Sequence, residues 1–156
     1  MASGFEYDLL TGFAGASKVT AAFEDVPQFD QILKDTASGK CQIGAATIAV
    51  TEERKATLAF SSPYFPNRVV VVQKKSTAFA QPADLKGLRV AVVKGTLSES
   101  LVTGISGAKA VIADDDDAAF QALLKGAADA LACDSAVVLH YLKLHSDLTI
   151  AFPMGD

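Results

Sequence analysis

The chain has 156 residues, 50% hydrophobic and 21% charged, with a net charge of −4. A chain this long buries roughly 70% of the surface it exposes when unfolded, which excludes disorder and any need for a disulfide or metal scaffold. The acidic balance, with Lys and Arg scattered, excludes nucleic acid and an anionic membrane as natural partners and leaves a small polar ligand open.

The start, Met1-Ala2-Ser3-Gly4, has neither the basic nor the apolar region of a secretory leader. Residues 5–16 read as a helix with Leu9, Leu10 and Phe13 on one face, 18–23 as a strand, and 28–37 as a helix carrying Phe29, Ile32 and Leu33. Residues 41–48 read as a buried strand. Thr51 with Glu52 and Glu53 suits a helix start, and 67–73 is the strongest strand pattern in the chain. Its valines are far short of the roughly 20 apolar residues that a membrane helix needs.

A Ser, Thr, Gln and Pro stretch after Lys74 marks a boundary, giving units 1–74 and 75–156. The second unit reads as a short helix at 83–87, strand 89–93, helix 96–103, strand 108–112, helix 117–125, strand 129–132, helix 135–144 and strand 148–152. Strands alternating with crossover helices define an α/β fold. The helix, glycine and strand pattern after Phe29 echoes the one after Phe120, which predicts two βαβ lobes with a cleft between them.

Ligands of open α/β sheets bind beyond the carboxyl ends of the strands, so the turns after 48, 93 and 132 hold the candidates. The first offers Thr51 and Arg54, whose planar fork matches a carboxylate in two hydrogen bonds. Spacing alone also admits a surface pair between Arg54 and Glu52 or Glu53, and favours it. Gly95, Thr96 and Ser98 present backbone N–H groups and hydroxyls to an anion, or form an ordinary Thr96–Glu99 capping box. Asp134 follows a buried strand and sits at a helix start, where it needs a cation or a capping role.

Residues 114–117, all Asp, lack calcium-loop spacing and read as a solvated turn whose last member, Asp117, caps the next helix. His140 and His145 do not share a helix face, and Cys41 and Cys133 form no CxxC. The two thiols read as buried and reduced, and no metal or other cofactor is expected. No GxSxG or GxGxxG occurs, so no catalytic engine is visible.

The ordered phrases GFEYDLL, IAVTEERK, LAFSSPYF, DLKGLRVAV, KGT and CDS together resemble the extracellular solute-binding protein family 3, the polar amino-acid-binding components of ABC importers. The resemblance implies a two-lobed type 2 periplasmic-binding-protein-like fold with an incomplete lobe 1. It implies that Arg54 binds an α-carboxylate with Gly95 and Thr96, that Asp134 takes the α-ammonium, and that Phe29 stacks on the ligand. Where the family usually has Thr, this chain has Ala49, so one hydroxyl contact is absent and only a backbone N–H is left there.

Lobe 1 reads as lacking a central strand and the returning strand that would follow Asp156. Unpaired strand edges then predict a homodimer or a mobile lobe 1. An ABC permease is the further partner implied, and a periplasmic or extracytoplasmic location. A sensory module, a lytic-transglycosylase-associated module and a remnant that no longer binds are the alternatives. A cyclohexadienyl-dehydratase-like enzyme is the remaining one, and no turnover is expected.

Overall fold

Four consecutive valines can be dry on both faces only inside a sheet, and the computed structural model, which describes residues 4–155, places residues 69–72 there. Met1, Ala2 and Ser3, with the start of the region read for a leader, and Asp156 lie outside the described residues.

The first unit contributes three helices: α1 (Phe5–Ser17), α2 (Phe29–Ala37) and α3 (Glu52–Lys55). The second contributes β1 (Val69–Lys74), a 3-10 turn at Pro82–Leu85, β2 (Arg89–Val93), α4 (Leu97–Thr103) and β3 (Lys109–Ala113). α5 (Asp116–Leu124), β4 (Ala130–Asp134), α6 (Ser135–Leu144) and β5 (Leu148–Met154) complete it.

The five strands form one sheet in the order β3-β2-β4-β1-β5. β2, β3 and β4 run parallel, while β1 is antiparallel to both β4 and β5, so the sheet is mixed. Alternation along each strand sends side chains to two separate layers. Val70, Val72, Val93 and Leu131 meet Phe120, Leu123 and Val138 beneath α5 and α6. Val69, Val71, Val90 and Val92 meet Leu85, Val102 and Phe152 on the other face. The rings of Phe120 and Tyr141 stack with centroids 3.6 Å apart, and the Tyr141 hydroxyl donates to Asp117. α6 follows the expected span residue for residue.

Several expectations change. β1 falls before the boundary expected at residue 74, yet all its ladder bonds go to β4 and β5, so the sheet takes the chain from Val69 onward. Residues 18–23 and 41–48 are not strands. Lys18 adopts the left-handed conformation that ends α1, with φ 57°, and no neighbouring strand among the described residues of the first unit offers a ladder. The βαβ echo is therefore present in the second unit alone.

Residues 4–68 also lack a core of their own: Ala14 and Asp35 are their only buried members, whereas Phe5 and Phe13 are 54% and 55% exposed. Cys133 is buried as expected, but Cys41 is only half-buried. α5 is capped by Asp115, whose carboxylate accepts from the Ala118 N–H at 2.8 Å, and not by Asp117.

Candidate functional site

Thr51 begins α3 by accepting the Arg54 N–H on its hydroxyl at 3.2 Å. That cap turns the Arg54 side chain toward the second unit. Its guanidinium donates to the Ala49 carbonyl at 2.8 Å and to the Gly95 carbonyl at 3.0 Å, and lies 5.3 Å from the centre of the Phe29 ring. The surface pairing with Glu52 or Glu53 does not occur; Lys55 takes Glu52 instead, at 2.7 Å. Burial lowers the pKa of Arg54 from its ordinary value, opposed by the charges of Asp134 and Glu53. Arg54 is thus a half-buried cation held by two carbonyls, with no carboxylate bonded to it among the described residues.

Gly95 is required where the units touch. Its φ is 75°, and a Cβ there would lie 2.8 Å from the Asp30 Cβ of α2. The turn it makes presents Thr96, which accepts the Glu99 N–H at 3.4 Å and shares a hydrogen bond with the buried Ser98 at 2.7 Å. The capping box is displaced by one residue: the Glu99 carboxylate accepts from Gly95 N–H at 2.6 Å.

Asp134 occupies the cap position of α6 but makes no capping bond. Asn67 does that work from the chain entering β1, its carbonyl oxygen accepting from the Ser135 hydroxyl at 3.0 Å and the Ala136 N–H at 3.4 Å. The Asp134 carboxyl is left to face a cavity. Burial pushes its pKa above the ordinary value and the Asp116 charge adds to this, while Asn67, Thr47 and Arg54 oppose it.

That cavity, about 370 Å³, lies between the units and is lined by Phe29, Thr47, Thr96, Ser98, Asp116 and Asp134 among others. Four of the residues singled out in the sequence, Phe29, Thr96, Ser98 and Asp134, therefore share one space. Arg54 and Gly95 sit behind it in hydrogen-bond contact, Ala49 holds Arg54 through its carbonyl, and Thr51 acts through the α3 cap. Sequence reasoning missed Glu6, Thr47, Asn67 and Asp116. Thr47 has a φ of 47°, an uncommon backbone for a β-branched residue. Its N–H donates to the Glu6 carboxylate at 2.8 Å, which also accepts from the Tyr64 hydroxyl at 2.7 Å. The TEER phrase marks α3, but no local pattern distinguishes Thr47 or Asn67 from ordinary loop residues.

A second and larger cavity, about 920 Å³, opens beneath α1 and is lined by Leu9, Phe13, Ile43, Phe60 and Met154 among others.

Comparison with known proteins matches residues 1–138 to the family described as bacterial extracellular solute-binding proteins, family 3. ABC transporter arginine-binding protein 1 of Escherichia coli (strain K12) is 30% identical over 149 residues, which cover 95% of this chain and 60% of that protein. A probable histidine-binding protein of Neisseria gonorrhoeae is 29% identical over 144 residues, 90% of this chain and 53% of its own length. The chain thus spans between half and two thirds of these relatives. An ancestral arginine-binding protein bound to arginine superposes with a TM-score of 0.91 at 34% identity, covering 98% of this chain and 71% of the other.

Proposed function

Because the chain belongs to the bacterial extracellular solute-binding proteins, family 3, we propose that it binds a small amino-acid zwitterion, without catalysis, in the cleft between residues 4–68 and 69–155. One observation carries this reading. A half-buried cation from the first unit, Arg54, packed behind the cavity, and a half-buried carboxylate from the second, Asp134, which lines it, attract each other through space. Uncompensated buried charges are costly, and a zwitterion offsets both at once.

In this reading the ligand carboxylate takes Arg54, its fork turning from the Ala49 and Gly95 carbonyls, with Thr96 and Ser98 beside it. The ligand ammonium takes Asp134, and Phe29 supplies the apolar wall. The name of the Escherichia coli relative supports a solute delivered to an ABC transporter, and the family's description supports a place outside the cytoplasm. The two units, meeting at Gly95 and Arg54, act as lobes divided near residue 68.

A ligand at about 100 times its Kd adds roughly 2.7 kcal/mol, which raises the melting temperature by about 5 to 10 °C for a chain of this size. Thermal unfolding against the twenty amino acids is expected to show that rise for a subset, and to lose it in Arg54→Ala and Asp134→Ala. Unchanged shifts in both variants would reject the assignment.

The homodimer expected from the sequence rested on unpaired strand edges in lobe 1, where no strand forms among the described residues; its remaining support is the cavity beneath α1, lined by Leu9 and Phe13, with Phe5 and Phe13 exposed. Light scattering on a sizing column is expected to return twice the monomer mass. A monomer at every concentration would reject it.

A further inference from the structure

The loop at 44–50 lines the two cavities with no helix or strand bonds of its own to fix it. Glu6, Thr47 and Asp134 line both cavities, so these three side chains form part of the partition between the polar cleft and the apolar space beneath α1. Whatever holds Thr47 therefore shapes the cleft on the side where Asp134 stands.

Thr47 does not hold itself. Its φ of 47° is costly for a β-branched residue and persists only where the surroundings impose it. The hydrophobic core cannot do so, because Ala14 and Asp35 are the only buried members of residues 4–68. The restraint on the page is Glu6, in the first turn of α1 and 41 residues away, which accepts the Thr47 N–H at 2.8 Å. The same carboxylate oxygen accepts from the Tyr64 hydroxyl at 2.7 Å, so one atom ties three separate segments together. Burial, and then the bond to Glu6, pushes the Tyr64 phenol up to about 12. Across the cleft, burial raises the pKa of Asp134, and a hydrogen bond with Thr47 is among the contacts that oppose it. Glu6, Thr47 and Asp134 thus form a chain of contacts from α1 to the second unit.

We propose that Glu6 is a positioning residue of the ligand cleft: by fixing Thr47 in the left-handed conformation, it holds the wall beside which Asp134 meets the ligand. The inference rests on the zwitterion reading above and adds to it the residue that sets the shape of the cleft. Glu6 acts through its oxygen as an acceptor, and its charge is not what the ligand reads. Without that acceptor Thr47 relaxes to an ordinary negative φ, and its side chain leaves the wall.

The test has two readouts on the whole chain: calorimetric titration with the twenty amino acids, and hydrogen exchange of the Thr47 amide without ligand. Glu6→Ala is expected to weaken binding by at least about tenfold and to speed exchange at Thr47, while the amides between β1 and β4 stay protected. Glu6→Gln retains an oxygen that accepts both bonds, so its binding is expected to stay within about threefold of the parent. Thr47→Gly adopts the same φ without steric cost, so in that background Glu6→Ala is expected to lose less than about threefold. Glu6→Gln binding as weakly as Glu6→Ala would show that the charge acts instead. Equal losses with and without Thr47→Gly would show that Thr47 is not the link. Either result, or unchanged binding in Glu6→Ala, would overturn the role of Glu6 and leave the zwitterion reading intact. Binding of no amino acid by the parent would overturn the zwitterion reading and the role of Glu6 in binding together, while Thr47 exchange would still report whether Glu6 holds the loop.

Discussion

Asn67→Ala separates the two jobs that the start of α6 asks of its neighbours. The Asn67 carbonyl oxygen accepts from the Ser135 hydroxyl at 3.0 Å and the Ala136 N–H at 3.4 Å, so its removal leaves a first-turn N–H without a partner. Loss of a side-chain cap costs about 1 kcal/mol, within a range of about 0.5 to 2. For a chain of this size that lowers the melting temperature by about 2 to 4 °C.

Asp134→Asn provides the contrast. Asp134 makes no capping bond, and its pKa is raised chiefly by burial, so removing its charge relieves desolvation in the free chain. Its melting temperature is expected to hold or rise while ligand binding falls. Differential scanning calorimetry of both variants without ligand makes the comparison. Asn67→Ala within about 0.5 kcal/mol of the parent, together with a clear loss in Asp134→Asn, would show that Asp134 is the cap and would undo its assignment to a ligand.

Phe120→Ala removes a ring that is 1% exposed and stacked on Tyr141. Urea unfolding is expected to show a loss of about 3 to 5 kcal/mol, whereas a loss under about 1 kcal/mol would mean that this layer is not tightly packed. Gly95→Ala places a Cβ 2.8 Å from the Asp30 Cβ at a φ of 75°, costing about 1 to 3 kcal/mol. The same change shifts the carbonyl that holds Arg54, so calorimetry should show weaker ligand binding as well. Asp116 and Asp134 both have folded pKa values above the ordinary 3.8. Protons therefore favour the folded, unliganded chain: stability from these two groups is complete below 3.8 and is lost as pH rises through their folded values. Unfolding at neutral pH and near the ordinary carboxylate value should show that the parent gains more on acidification than a variant carrying both Asp116→Asn and Asp134→Asn. Equal gains would refute the burial of these carboxyls.

Legibility from sequence followed whether a feature is local. The α6 span, the Thr51 cap and the β2 span are written in neighbouring residues, and they came through, whereas β4 runs on to Asp134, two residues past its expected end. The residues at 18–23 and 41–48 have strand composition, but a strand exists only where a partner ladder stands beside it, and none does among the described residues. The valines of β1 announce burial without saying which strands bury them, and their ladder partners prove to be β4 and β5. Arg54 and Asp134 were singled out because each lies in a turn after an expected strand and within a phrase of the family resemblance, although spacing alone favoured a surface pair for the first. Asn67 and Glu6 were not, since each acts on residues far away in the chain. Asp116 was hidden among its neighbours, because a run of four acids reads as solvated until the structure turns one of them inward.

The central claim, that Arg54 and Asp134 clasp opposite ends of one zwitterion, is tested most directly on the ligand side. An amino acid that raises the melting temperature is titrated calorimetrically beside its methyl ester, which lacks the carboxylate, and its N-acetyl derivative, which lacks the ammonium. Each change is expected to weaken binding by about a hundredfold or more, or about 2.7 kcal/mol. The ester's loss should shrink in Arg54→Ala, and the N-acetyl derivative's in Asp134→Ala. Either derivative binding as tightly as the free amino acid would contradict the account.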